Sequence, residues 1–307
     1  MATTAAGMAS SGELPARASD ARWVTDLLLL LMAVIWGVNF SVIKYGTQFL
    51  SPLAFNGIRV PLAAATQLGI AGGMRLGKLS RAVTMRLIVL GMLGNGVYQC
   101  FFILGIVRSR VATAALIIAS TPAFIAILGR LSGTEHLTRR QWMGIALQIA
   151  GCGTVVLGSA RGATGEDTPL GAALLLGAAF SWASYSVLVR KYTVSAHPIQ
   201  IGGYTMLGGA LVTGVVAVPA LAASSLPSLP AGAWAAVLYS ALGAMVVAYL
   251  FWYRGLRVLG PTRTAVYSNL QPVIAALVAF IALHEVPTGS QYLGAAFVVS
   301  GLLLTRR

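Results

Sequence analysis

Between residues 24 and 305 the chain passes through ten apolar segments, at 24–45, 52–73, 85–107, 111–129, 141–159, 169–189, 199–220, 232–253, 262–283 and 289–305. They run for 17–23 residues each, and a helix rising about 1.5 Å per residue needs about 20 residues to cross a hydrocarbon layer of about 30 Å. Strand-like alternation is never sustained, and an open sheet in lipid would leave its edge groups without hydrogen bonds. The segments are therefore expected to be membrane helices. With 57% hydrophobic and only 9% charged residues, against about 25% charged in soluble domains, most of this surface has lipid as its solvent.

The net charge of +14 raises nucleic acid as a partner, but only three Lys are present and the Arg residues are scattered between apolar blocks. That distribution reads as orientation signals and headgroup contacts. With the N-terminus inside, sixteen of the 21 Lys and Arg fall on the cytoplasmic side. The other five are Lys44, Arg59, Arg108, Arg110 and Arg161. An even number of spans returns the C-terminus to the same side. Residues 1–23 lack the basic start and cleavage site of a signal peptide and read as a cytosolic tail.

The second half of the chain repeats the first. PAFIAILGRLSGTEHLTRRQWMGIALQIAG at 122–151 and PVIAALVAFIALHEVPTGSQYLGAAFVVSG at 272–301 align at an offset of 150, pairing Pro122 with Pro272, Glu135 with Glu285, Gly144 with Gly294 and Gly151 with Gly301. Nearer the start of each copy the offset is 146, pairing Trp36 of WGVNFSVIK with Trp182 of WASYSVLVRK, and Lys44 with Arg190. Five helices per copy is an odd number, so two such copies cross the membrane in opposite senses. Inverted repeats of this kind surround a central path and supply two related conformations. The expected architecture is thus an all-α polytopic membrane protein of ten transmembrane helices in two inverted five-helix repeats. The repeats cover 24–159 and 169–305, joined by a loop at 160–168 and closed by a tail at 306–307.

The Trp-led first helices, the Pro122–Glu135 block with its echo at Pro272–Glu285, and the Gly-rich last helix of each half resemble the EamA-type drug/metabolite transporter superfamily, specifically its ten-span bacterial members. The resemblance covers roughly residues 27–305. It implies a small-molecule carrier of the bacterial cytoplasmic membrane, often an exporter of amino acids or other metabolites, with both termini cytoplasmic. The second Trp motif departs from the first where Tyr185 and Ser186 replace Asn39 and Phe40, so the halves present unlike surfaces to a ligand.

Several polar and aromatic residues sit where lipid would reject them. Trp36, Asn39 and Phe40 share a helix face at i, i+3 and i+4, and Asn39 serves either a watery cavity or an interhelical clamp. Trp182 and Tyr185 form the corresponding face of the second copy. Arg59 lies about 10 Å into the second span; it attracts a ligand, joins a hydrogen-bond network, or snorkels to a headgroup. Asn95 and Gln99 stand four apart with Tyr98 beside them, and Tyr249 and Trp252 supply another aromatic face. Pro122 and Pro272 read as helix kinks. Gly144, Gly151, Gly294 and Gly301 read as close helix contacts. Lys44 and Arg190 read as headgroup anchors, and Glu135 and Glu285 as helix caps, Arg partners or turn formers ahead of proton acceptors.

No catalytic triad or metal-ligand spacing stands out, and GSARGATG at 158–165 lacks the Lys–Ser/Thr end of a phosphate loop. His136 and His284 do not make a metal site, and Cys100 and Cys152 read as separate thiols. The sequence thus points to a non-enzyme without a cofactor. Its partners are the lipid bilayer and a small-molecule substrate, with no coupling ion or oligomeric state assigned. Alternating-access export of a small amphipathic metabolite is the first expectation. Sugar-phosphate or nucleotide-sugar transport, motivated by Arg59, and a nontransport scaffold or sensor are the alternatives.

Overall fold

A computed structural model describes residues 15–133, 137–161, 167–268 and 270–305. The main elements are helical: α1 (Pro15–Gly46), α2 (Pro52–Gly73), α3 (Arg81–Ile106), α4 (Val111–Leu131), α5 (Arg139–Arg161), α6 (Pro169–Tyr192), α7 (Pro198–Ala222), α8 (Ala231–Val258), α9 (Pro261–Ser268), α10 (Gln271–Leu283) and α11 (Gly289–Thr305). Starts are set locally. Ser51, Ser80 and Thr168 accept from the N–H groups of Ala54, Val83 and Gly171, and Pro52, Pro169 and Pro198 occupy first turns where a missing N–H costs nothing. The helix α1 begins at Pro15, so the end of the expected N-terminal tail is helical.

Among the described residues, seven helices are long and apolar enough to cross a membrane: α1 from Arg22, α3, α4, α5, α6, α7 and α8. The other expected spans fall short for visible reasons. At 22 residues α2 is long enough, but Asn56, Arg59 and Gln67 make it too polar. The segment expected at 262–283 is divided between α9 and the 13-residue α10, and α11 has 17 residues. Large apolar side chains face outward, as with Phe180, Val215 and Ile281 at 51%, 74% and 65% exposure, an arrangement suited to lipid and costly in water.

Equivalent helices of the two sequence copies pack in matching pairs. The α1 helix packs on α8 and α10, while α6 packs on α3 and α4; α2 lies against α7, and α5 against α11. The last pairing uses the glycines. A Cβ on Gly151 would sit 2.7 Å from the carbonyl oxygen of Gly294, and one on Gly294 would sit 2.9 Å from that of Gly151. Gly301 likewise meets the carbonyl of Gly144. Small residues here let backbones touch.

Two further irregularities recur in both halves. The α4 helix turns at Ala119–Ser120 and α10 follows a turn at Leu270, each just before Pro122 or Pro272 in the first turn of the resumed helix. Proline lacks an N–H and its ring crowds the carbonyl four residues back, so Pro122 and Pro272 cannot continue the preceding helical turn and sit in the first turn of the next. Midway along α3 and α8, π-helical segments at Met92–Val97 and Tyr239–Val247 widen the turn. A π turn disturbs the regular ladder and leaves carbonyls that need other donors.

Candidate functional site

Side chains from α1 and α2 serve those carbonyls. Trp36 Nε1 donates to the Ala244 carbonyl at 2.9 Å and Gln67 Nε2 to that of Met245 at 2.7 Å, both in the π segment of α8. Asn56 Nδ2 donates to the Gln99 carbonyl at 2.7 Å, just beyond the π segment of α3. In a lipid-bounded core an unpaired carbonyl has no water to turn to. The buried amides are thus partly explained by the irregular backbone opposite them.

Around these contacts lies a central cavity whose walls come from both halves. Its lining includes Trp36, Asn39, Phe40, Arg59, Tyr98, Gln99, Pro122, Trp182, Tyr249 and Trp252. Four aromatic rings form its centre. The Trp36 centroid is 6.1 Å from Trp182, 5.8 Å from Tyr249 and 5.7 Å from Trp252, and Trp182 is 5.4 Å from Tyr249. Tyr98 leans on Trp182 at 5.1 Å and stacks on Phe102 at 5.5 Å. Tilted and edge-on ring pairs of this kind hold aromatic walls in fixed orientations.

Arg59 closes one side. It is 1% exposed and donates from Nε to Asn56 Oδ1 at 2.8 Å, from Nη1 to Ser240 Oγ at 2.7 Å, and from Nη2 to Gln99 Oε1 at 2.8 Å. Ser240 in turn donates to Asn39 Oδ1 at 2.7 Å. Arg59 therefore does not snorkel: it organises a network of neutral acceptors, and Asn39 belongs to that network while also facing the cavity.

Asn95 and Tyr185 are placed differently from their neighbours in sequence. Neither lines the cavity. Asn95 falls in the π segment of α3, where the wider turn removes the four-residue alignment with Gln99, and its Oδ1 accepts from Tyr249 at 2.9 Å. Tyr185 is fully buried and its hydroxyl meets those of Tyr253 and Thr205. Sequence reasoning passed over Ser240, Asn56 and Gln67, which complete the polar network, and Thr121, Ser268 and Gln271, which join the lining. Asn56 carried a signal, since it precedes Arg59 by three residues on the same helix. Ser240 carried none, because a lone serine in an apolar helix commonly bonds its own backbone.

Away from the cavity, Lys44 corrects its expected role. Its ammonium does not extend to a headgroup but pairs with Glu285 at 2.6 Å and reaches the Ser109 carbonyl at 3.3 Å. Glu285 Oε2 accepts the Val111 N–H at 2.9 Å, capping α4 as anticipated, though its cationic partner is Lys rather than Arg. His284 ends α10 in the left-handed conformation, φ 56°. Arg190 is exposed. The expected roles of Glu135 and His136 lie outside the described residues. Among the described residues no group of His, Cys, Asp and Glu is arranged to hold a metal, and Cys100 and Cys152 are unpaired thiols.

These features define an all-α polytopic membrane protein built around a central aromatic and amide chamber. The chain belongs to the EamA-like transporter family, whose model matches residues 23–157 and again 169–307. It is accordingly a membrane transporter rather than an enzyme or a passive scaffold. Similar proteins include an uncharacterized Bacillus subtilis transporter, YyaM, 29% identical over 90% of this chain and 92% of that protein. A probable amino-acid metabolite efflux pump of Escherichia coli is 28% identical over 91% and 93%. A probable terminal-alkyne amino-acid exporter of Streptantibioticus cattleyicolor is 28% identical over 91% and 92%. A protein crystal structure superposes with a TM-score of 0.65 at 19% identity, over 92% of this chain and 96% of that one, a likeness in fold.

Proposed function

We propose that this protein exports amino acids or related small amphipathic metabolites by alternating access across the bacterial cytoplasmic membrane. The observation that carries the reading is the meeting of Trp36 and Trp182, the equivalent tryptophans of the two copies, across one cavity. A chamber walled by both copies can open to either face when the copies rock against each other. The proposed scaffold has ten spans in two inverted five-helix repeats, with the helix pairs described above exchanging roles. The double match of the family model supports the duplication, and the basic-residue distribution supports cytoplasmic termini. The substrate class draws on the relatives named for amino-acid efflux.

Sugar-phosphate or nucleotide-sugar transport has less support, because Arg59 is the one Lys or Arg among the described residues that line the cavity. A phosphate ester would call for several converging cations. Counterflow into proteoliposomes across a panel of amino acids and metabolites tests the export reading. Accumulation of at least one amphipathic solute is expected, and no exchange of any panel member would count against it. Cysteine labelling of the two tails from either side of intact cells tests the orientation.

A further inference from the structure

We infer that the cavity is built for a solute with one net negative charge, a carboxylate on an apolar, flat body, and discriminates against the zwitterionic form of the same skeleton. The inference rests on the transport reading above and narrows its substrate class to the related carboxylate metabolites, with free zwitterionic amino acids disfavoured.

Charge balance is the starting point. The chain has seven Asp and Glu, and none of those whose side chains the structure describes lines the cavity. Among those described, Asp26 accepts from Tyr267 and pairs with Arg263 beyond one end of the chamber. Asp167 accepts from the Arg110 N–H and from Thr113, and Glu285 is held by Lys44. Among the described residues, Arg59 therefore introduces a charge that no carboxylate on the cavity wall balances. Burying an unpaired ion is among the largest penalties a fold can carry, and in a membrane interior such a group marks a ligand or ion pathway by default.

Hydrogen-bond capacity points the same way. A guanidinium has five N–H donors, and Arg59 gives three to Asn56, Ser240 and Gln99, all uncharged. Two donors remain without a protein acceptor. Trp252 adds another: it lines the same cavity, is 1% exposed, and its Nε1–H has no partner. A carboxylate accepts from both kinds of donor and cancels the charge. Among the described residues an ammonium finds no acid here; it meets ring faces, amides, hydroxyls and a like charge. Transferring a zwitterion thus leaves the chamber at +1, while a simple carboxylate leaves it neutral. A single cation also matches a monoanion better than a phosphate dianion.

The test uses four compounds sharing a phenyl body: 3-phenylpropanoate, phenylalanine, 2-phenylethylamine and 3-phenylpropanol. Binding to the full-length purified protein is read by thermal shift and intrinsic tryptophan fluorescence, and transport by counterflow in proteoliposomes. The propanoate is expected to bind at least tenfold more tightly than phenylalanine, with the amine weakest. Arg59→Gln should bring propanoate and propanol to within about twofold of each other. Trp252→Phe keeps an aromatic ring but removes the N–H, so it should weaken the propanoate several-fold and leave the propanol unchanged, a readout that survives if Arg59→Gln does not fold. Phenylalanine binding as tightly as the propanoate, an anion preference that persists in Arg59→Gln, or no binding by any of the four would overturn the inference. If the preference holds but no compound is carried, the export reading fails and the charge assignment stands.

Discussion

The ammonium of Lys44 on α1 lies 2.6 Å from Oε1 of Glu285, 241 residues along the chain, and the other carboxylate oxygen caps α4 at Val111. One carboxylate thereby ties together the end of α1, the turn after α10 and the first turn of α4. Both side chains are largely shielded, 23% and 10% exposed, so the pair is less screened than a surface bridge. Removing one partner leaves the other charge poorly solvated. Lys44→Met and Glu285→Gln should each lower stability by roughly 1.5–3 kcal/mol, the range for hydrogen bonds to charged groups. The double variant should cost clearly less than the sum. Thermal unfolding in detergent, arranged as a double-mutant cycle, measures the coupling, and simple additivity would show that the contact contributes nothing.

The glycine contacts between α5 and α11 make a sharp local comparison. Gly151 faces the carbonyl of Gly294 at 2.7 Å from where a Cβ would sit, whereas a Cβ on Gly153 would meet nothing within 4 Å. Gly151→Ala should destabilise by about 1–3 kcal/mol through forced separation of the helices. Gly153→Ala should be neutral or stabilising by up to about 1 kcal/mol, since alanine is the better helix former. Unfolding midpoints of the two variants decide it; equal effects would refute the close approach.

Gln67 supplies the donor for the Met245 carbonyl within the π segment of α8. Gln67→Met keeps the bulk and removes the donor, so the carbonyl is left unsatisfied at a cost of about 1–3 kcal/mol. Amide exchange across residues 239–247 should accelerate in this variant, and unchanged exchange would show that the π segment stands without its cap.

The hydroxyls of Tyr185 and Tyr253 meet outside the cavity, with Thr205 alongside. Tyr253→Phe should cost about 1 kcal/mol of stability and leave solute affinity within twofold of the wild type. Tyr249→Phe, whose hydroxyl donates to Asn95 on the cavity wall's far side, should alter both. Ligand titrations on the two purified variants separate these roles, and a large affinity loss in Tyr253→Phe would move that cluster into the site.

Much of this could be read before any coordinates. The helical nature of the apolar segments follows from the demand that lipid places on backbone hydrogen bonds, and the duplication follows from unlike residues recurring at offsets of 146 and 150. Periodicity also placed Trp36 with Asn39 and Phe40, and Tyr249 with Trp252, on shared faces. It failed at Asn95, because a π turn changes the angular step and no local residue type announced one. It failed at Lys44 for another reason: a basic residue near a helix end has the same local pattern whether it reaches lipid or a carboxylate 241 residues away.

Sequence alone therefore determined the solvent, the element type, the repeat and most of the aromatic wall, all of which depend on local composition and spacing. Only the tertiary structure decided which polar groups satisfy one another. Arg59 is an unbalanced cation because of what stands around it: Asn56, Ser240 and Gln99 are neutral, and among the described residues no acid reaches it. Charge compensation in a membrane interior is a property of neighbours in space, and those neighbours come from α2, α3 and α8.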